Sequence, residues 1–83
     1  MSLFGPPNVK KLEEKRNVKG LIEALGYRKD SAVRQAAAKA LGALGDVRAL
    51  NPLIETLANH AWSTRTAAAE ALGRLGHKRA VGR

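Results

Sequence analysis

The sequence contains no cysteine and very few aromatic residues. The absence of cysteine excludes disulfide bonds, thiolate nucleophiles and cysteine-ligated zinc or iron–sulfur clusters. Phe4, Tyr27 and Trp62 are the only aromatic residues, so few rings are available for stacking on nucleic-acid bases. No apolar run approaches the roughly 20 residues that a membrane-spanning helix requires, and the first residues lack the pattern of a secretory signal. We therefore expect one small domain, spanning residues 1–83, in the cytoplasm.

Acidic residues are also scarce. Fifteen lysines and arginines oppose seven aspartates and glutamates, which gives a formal net charge of +8 and a pI near 10.7. A basic excess of this size attracts nucleic acid, anionic membranes or acidic protein surfaces, but it also serves solubility alone. The charge by itself therefore does not select a function.

An internal repeat is the strongest signal in the sequence. The segment Leu21-Ile22-Glu23-Ala24-Leu25 matches Leu53-Ile54-Glu55-Thr56-Leu57 at an offset of 32 residues. The segment 34–45, RQAAAKALGALG, matches 65–76, RTAAAEALGRLG, at an offset of 31. Each unit predicts two helices, because its apolar residues recur at i, i+3 and i+4. We expect a leader helix in residues 1–16, units at 17–45 and 46–76, and the start of a third unit at 77–83.

Helix-capping residues agree with this division. Asn8 precedes a short leader helix, and Asp30-Ser31 and Ser63-Thr64 are N-cap types placed before the second helix of each unit. Gly45 and Gly76 follow the last apolar residues of those helices, where a left-handed C-cap favours glycine. Pro52 should lie in the first turn of its helix. The predicted fold is all-α, a short right-handed α–α superhelix.

The repeated pattern Arg-x-Ala-Ala-Ala-x-Ala-Leu-Gly-x-Leu-Gly, followed by Asp46-x-Arg48-Ala49-Leu50-x-Pro52, resembles the HEAT-like repeats named after phycobilisome lyases. The resemblance covers roughly residues 17–81 and implies a helical solenoid. It weakly constrains function, since such repeats occur in scaffolds, bilin lyases, an iron hydroxylase and DNA-repair enzymes. An accessory part of a lyase-type enzyme is our third-ranked hypothesis.

Catalytic and metal-binding groups do not form a recognisable constellation. The HEAT-like hydroxylases resemble one another in His-Glu pairs that supply iron ligands. In this sequence His60 is followed by Ala61 and His77 by Lys78, so neither pair is present. We interpret His60 as a loop residue and His77 as a helix-end residue. We predict no enzyme activity, no metal and no cofactor.

A protein-binding face is predicted on the second helices. Stacked repeats would place two stripes of residues, each spaced by four, side by side on the concave surface that solenoids offer to partners. Trp62 is either an exposed anchor for a partner or a plug in the inter-helix loop. The predicted face consists of Gln35, Lys39, Ala43, Trp62, Thr66, Glu70 and Arg74.

Nucleic-acid binding is the second hypothesis. An N-terminal cluster of basic residues and a basic loop could neutralise phosphates without reading sequence. We rank it below protein binding, because a solvated basic surface explains the same residues. The candidate residues are Lys10, Lys11, Lys15, Arg16, Lys19, Arg28 and Lys29.

Two further features of the repeats are a recurring arginine and an apolar end of the second unit. Arg34 and Arg65 recur at one position, and we favour a structural role that joins repeats or helix ends over a ligand contact. At the end of the second unit, Leu72, Leu75 and Val81 should face the place of a next repeat. An end repeat needs a polar outer face, so we expect this end to be closed by self-association or by a longer chain.

Overall fold

A computed structural model of the chain describes residues 6–59 and 61–81, and it describes the side chains in these ranges except those of residues 59 and 78–81. All regular secondary structure within these ranges is helical. The elements are α1 (Val9–Glu14), α2 (Val18–Ala24), α3 (Ser31–Leu44), a 3-10 turn (Val47–Ala49), α4 (Leu50–Asn59) and α5 (Trp62–Val81). The predicted all-α fold is therefore confirmed, with α1 leading two helix pairs.

The second helices of the two pairs, α3 and α5, form the centre of the molecule and share its largest helix–helix interface. Alanine dominates that interface, since small side chains let two helix axes approach closely. The buried alanines of α3 and α5 are Ala37, Ala38, Ala40, Ala67, Ala68 and Ala71. Around them, α2 packs on α3, α4 packs on α5, and α1 packs on both α2 and α3.

Several predicted helix ends are present in the structure. The Asn8 side chain accepts a hydrogen bond from the Lys11 amide at 3.0 Å, and the Asp30 side chain accepts one from the Ala32 amide at 2.9 Å. Gly45 ends α3 in the left-handed conformation, with φ 70° and ψ 23°. Pro52 is the third residue of α4, where its missing amide hydrogen removes no bond within the helix.

The predicted cap of the last helix is wrong. Helix α5 begins at Trp62, so Ser63 and Thr64 lie within its first turn and do not precede it. The first-turn bond runs from the Arg65 amide to the Ala61 carbonyl at 2.9 Å. Thr64 is fully buried, and its hydroxyl accepts a hydrogen bond from Arg34 Nε at 3.4 Å. Burial against α3 therefore replaces capping as the role of this threonine.

The predicted end of the last helix is also wrong. Helix α5 continues through Gly76 and His77 to Val81, so Gly76 is not a left-handed C-cap and His77 does not terminate the helix. At the matching position of the first unit, the Asp46 carboxylate caps the 3-10 turn by accepting from the Arg48 amide at 2.9 Å. His77 has no carboxylate to make the equivalent cap. His60, which we predicted as a loop residue, lies outside the described residues.

The apolar residues left uncovered differ from those expected. Leu75 is buried and Leu72 is partly buried against the core, so neither forms an open apolar end. The side chain of Val81 lies outside the described part of the chain. Instead, Ile54 and Leu57 of α4 are exposed, while Leu53 beside them is fully buried.

Candidate protein-binding face

An open groove runs between α3 and α5 and contains three of the predicted site residues. Lys39 of α3 lies opposite Glu70 and Arg74 of α5, and Gly73 and His77 complete the wall on the α5 side. The groove has a volume of about 800 Å³. The prediction that the two repeat stripes lie side by side is therefore met at Lys39, Glu70 and Arg74. That these residues bind a partner remains a proposal.

Two glycines shape this groove in opposite ways. A β-carbon added to Gly42 would lie 2.8 Å from the Cα atom of Ala71, so the two helices are in direct backbone contact there. A β-carbon added to Gly73 would meet no heavy atom within 4 Å. The helices are thus held together at Gly42, while Gly73 faces open space and leaves the groove wide.

A second, smaller groove of about 350 Å³ adjoins the first and extends the surface to the leader helix. Lys39 and Arg74 line both grooves, which makes the surface continuous. The predicted Ala43 lies here, and α1 contributes Lys10 and Glu13. We call the two grooves together the α3–α5 groove.

The other three predicted residues lie outside the α3–α5 groove. Gln35 is partly buried, and Thr66 is exposed and donates its hydroxyl hydrogen to the Trp62 carbonyl oxygen at 3.0 Å. Trp62 is 72% exposed at the start of α5. A plug in the inter-helix loop would be buried, so the exposed-anchor interpretation of Trp62 is the one consistent with the structure.

Several groove residues were not predicted from the sequence. Glu70, Gly73, Arg74 and His77 follow the i, i+3, i+4, i+7 spacing of one helix face, which was the available signal for Gly73 and His77. The predicted stripes follow the spacing of four, which does not include Gly73 or His77. Lys10 and Glu13 lie on the leader helix, outside the repeats, so no comparison between units could indicate them.

Charged side chains of both signs line the α3–α5 groove. Lys10, Lys39 and Arg74 are basic, whereas Glu13 and Glu70 are acidic. Within the described part of the chain, the Lys39, Glu70 and Arg74 side chains form no ion pair or hydrogen bond. Since these three charges have no internal partner in that part of the chain, they are available to a bound molecule.

The basic residues proposed for nucleic-acid binding are exposed but divided between surfaces. Lys11 and Lys15 line a separate groove between α1 and α2, of about 420 Å³, while Lys10 lies in the α3–α5 groove. Arg16 lies just after α1 and has a positive φ of 54°. The remaining members, Lys19, Arg28 and Lys29, are also exposed and line neither groove. The structure therefore brings only Lys11 and Lys15 of this set into one groove.

Arg34 has the structural role that its recurrence indicated. Its Nη1 donates to the carbonyl oxygens of Tyr27 at 2.8 Å and Arg28 at 3.3 Å, and its Nε donates to the Thr64 hydroxyl. One guanidinium thus links the loop before α3 to the first turn of α5. The side chain of Arg65 is exposed, and for this residue the structural role stays a prediction.

The turn between the two units contains an ion pair. Arg48 Nη2 lies 2.9 Å from Asp46 Oδ2, and Arg48 Nε donates to both carboxylate oxygens of Asp46. Hydrogen bonds from the side chain and backbone of Arg48 lower the pKa of Asp46 to about 2, and the carboxylate raises the pKa of Arg48. Asp46 is therefore ionised at neutral pH and holds the turn that follows Gly45.

The described residues contain no cluster of three or more histidine, aspartate or glutamate side chains that could hold a metal ion. None of the helices in the described ranges combines the length and hydropathy needed to cross a membrane.

Comparison with known proteins identifies the repeats. A family model described as HEAT repeats matches residues 18–82, which include both helix pairs and exclude the leader helix. No curated protein matches the chain.

Proposed function

Because the chain belongs to the HEAT repeat family, we propose that it is a non-catalytic scaffold module that binds a protein partner in the α3–α5 groove. Stacked helical repeats typically present an extended surface to their partners. The observation that carries the proposal is the arrangement of Lys39, Glu70 and Arg74. They come from both repeat units, lie in one open groove, and have no partner in the described part of the chain.

The difference between the two units supports a binding role for these positions. Lys39 corresponds to Glu70, and Ala43 corresponds to Arg74, so the stripe changes charge from one unit to the next. Beside the stripe, Ala37 and Ala40 recur as Ala68 and Ala71, and all four are buried. Packing constrains a buried alanine, since added volume is costly in a dense interior, whereas the exposed stripe can vary to match a partner.

Two finer assignments are part of the same proposal. We propose that the units are of the phycobilisome-lyase type, on the basis of the shared pattern Ala-Ala-Ala-x-Ala-Leu-Gly-x-Leu-Gly at 36–45 and 67–76. We also propose a cytoplasmic location, which the lack of cysteine supports. The partner is a protein, and neither assignment identifies it.

Affinity capture from a nuclease-treated lysate tests the function. The bait is the wild-type chain, and the test variant carries Lys39→Ala, Glu70→Ala and Arg74→Ala. The matched control carries Glu14→Ala, Arg28→Ala and Lys29→Ala, which also removes one acidic and two basic exposed side chains. We expect a protein retained by the wild type and the control and lost by the test variant, with all three melting at similar temperatures.

Other outcomes of the capture would reject the proposal. Equal loss of a captured protein in both variants would show that charge, and not the α3–α5 groove, controls binding. Capture of nucleic acid in untreated lysate, with no protein retained after nuclease, would favour the basic residues as the functional surface. In that case, the control variant should lose more nucleic acid than the test variant, because it lacks Arg28 and Lys29.

A further inference from the structure

Helix α4 pairs with α5 but does not line the α3–α5 groove, and it has an exposed apolar face of its own. Ile54 is 47% exposed and Leu57 is 37% exposed, and their spacing of three places them on one side of the helix. Leu53, next to Ile54, is fully buried against the core. Helix α4 therefore packs one apolar side inward and leaves a second apolar side in contact with water.

The first unit shows how these two positions are accommodated when a neighbouring repeat is present. Ile22 and Leu25 of α2 correspond to Ile54 and Leu57 at an offset of 32 residues. Leu25 is only 4% exposed, and Ile22 is partly buried against the core. Helix α2 contacts the 3-10 turn that opens the second unit. The same two positions are thus covered in one unit and uncovered in the other.

The distribution of charge favours α4 as the surface through which a second copy of the chain approaches. Two copies of a chain with a net charge of +8 repel each other over most of their surfaces. Helix α4 is the helix of the described chain that contains no lysine or arginine, and Glu55 is its one charged residue. Two copies therefore meet less electrostatic repulsion when they approach through α4 than through a helix that carries lysine or arginine.

The leader helix determines the symmetry of that contact. In a head-to-tail stack, α4 of one copy would pack on the α2 end of the next. That end is already occupied, because α1 packs on α2 and α3 so closely that Leu12 Cδ2 lies 2.8 Å from the place of a β-carbon on Gly20. We propose that two copies of this chain associate through α4, with Ile54 and Leu57 of each copy meeting in a two-fold symmetric interface.

Sedimentation equilibrium over a range of concentrations tests this dimer. We expect the mass of the wild type to rise from 8.9 kDa to twice that value and no further. Leu57→Glu and Ile54→Glu should each keep the mass at that of one chain, because they place a carboxylate in the apolar contact. Ala32→Glu is the control, since it adds the same charge at an exposed position in the first turn of α3 outside the grooves and should dimerise like the wild type.

Circular dichroism establishes that the variants fold, and both α4 positions tolerate a polar group because they are exposed already. Raising the salt concentration should strengthen the dimer by screening the repulsion between two basic chains. A wild type that stays at one chain mass at its highest soluble concentration overturns the proposal. So does growth beyond two chains, which would indicate head-to-tail stacking, or equal disruption by Ala32→Glu.

Discussion

Gly42 of α3 and Ala71 of α5 are in backbone contact across the centre of the molecule. A β-carbon on Gly42 would lie 2.8 Å from the Cα atom and 3.0 Å from the Cβ atom of Ala71, closer than real β-carbons approach other atoms. The missing side chain at Gly42 therefore sets the distance between the two helices that line the α3–α5 groove. The equivalent glycine of the second unit, Gly73, has no such neighbour.

Gly42→Ala should destabilise the fold. The added methyl group must displace the α5 backbone, and overpacking of this kind costs about 1–3 kcal/mol in the free energy of unfolding. Gly73→Ala is the matched control, because it adds the same methyl group in a helix where the space is open. We expect Gly73→Ala to raise stability by roughly 0.5–1 kcal/mol, the usual advantage of alanine over glycine in a helix.

Urea denaturation of both variants measures the two effects with one method. The test depends on the two changes in stability having opposite signs. If the helices tolerated no substitution at either glycine, both variants would have a lower urea midpoint than the wild type. If Gly42→Ala were as stable as the wild type, the close contact between α3 and α5 would be contradicted.

Arg34→Ala should also destabilise the fold. The substitution removes the donors to the Tyr27 carbonyl and the Thr64 hydroxyl, which join the loop before α3 to α5. Hydrogen bonds from a charged group contribute about 1.5–3 kcal/mol, and a loss of this order should appear in the free energy of unfolding. Arg65→Ala, at the same position of the second unit, removes an exposed side chain and should change stability by about 0.5 kcal/mol or less.

If Arg34→Ala lowered the free energy of unfolding less than Arg65→Ala does, the prediction would be contradicted, and the arginine of the second unit would have the larger structural role. Arg34→Lys refines the test, because lysine retains the charge but cannot donate to three acceptors in the geometry of a guanidinium. We expect it to recover only part of the lost stability.

The fold was largely predictable because the signals that define it are local. The offset between Leu21–Leu25 and Leu53–Leu57 revealed two units, and the alanines beside Arg34 and Arg65 indicated a close helix interface. Asp30 and Gly45 were also recognisable, since each stands at the junction of a periodic segment and a loop. These signals depend on neighbouring residues in the chain and not on the arrangement of the helices.

The errors have both distant and local causes. Thr64 has a capping side chain, but contact with Arg34 buries it within α5. Gly76 matches Gly45 in sequence, yet the Asp46 cap that follows Gly45 has no counterpart at His77, and the helix continues. Ile54 matches the covered Ile22 but is exposed. Its burial depends on a neighbouring surface, which a helical period does not encode.

The candidate site was partly predictable for the same reason. Lys39, Glu70 and Arg74 belong to repeated stripes, so comparison of the two units indicated them. Lys10 and Glu13 reach the α3–α5 groove only because α1 packs against α3. That packing depends on tertiary contacts outside the repeats, and it was not visible in the periodicity.

Arg16→Gly should stabilise the fold. Arg16 adopts the left-handed conformation after α1, with φ 54°, while its amide donates to the Glu13 carbonyl and the Asn17 amide donates to the Leu12 carbonyl. A residue with a β-carbon loses about 1–2 kcal/mol in that conformation. Glycine removes this strain at a cost of about 0.5–1 kcal/mol in chain entropy, so we expect a net gain of roughly 0.5–1 kcal/mol.

Lys15→Gly is the control for that gain. Lys15 precedes Arg16 and has an ordinary φ of −86°, so glycine relieves no strain there and should lower stability. Thermal unfolding of both variants at neutral pH checks the difference. A lower melting temperature for Arg16→Gly would show that the arginine side chain contributes more than its backbone strain costs.

The ion pair between Asp46 and Arg48 predicts a specific dependence of stability on acid. Because folding lowers the pKa of Asp46 from 3.8 to about 2, the ionised carboxylate stabilises the folded state at any pH above about 4. As the pH falls from about 4 through about 2, the unfolded chain takes up this proton first and the stabilisation is lost.

Asp46→Asn isolates this contribution from the other carboxylates, which titrate in both proteins. Asparagine can still accept the bond from the Arg48 amide and cap the turn, but it cannot form the ion pair. We expect the wild type to melt at a higher temperature than Asp46→Asn at pH 7, and the gap to close between about pH 4 and pH 2. An NMR titration should give Asp46 a pKa of about 2 directly. Below pH 2, protonation removes the ion pair from the wild type as completely as the substitution does. A difference in melting temperature that persists unchanged there would therefore assign the destabilisation by Asp46→Asn to the geometry of the cap.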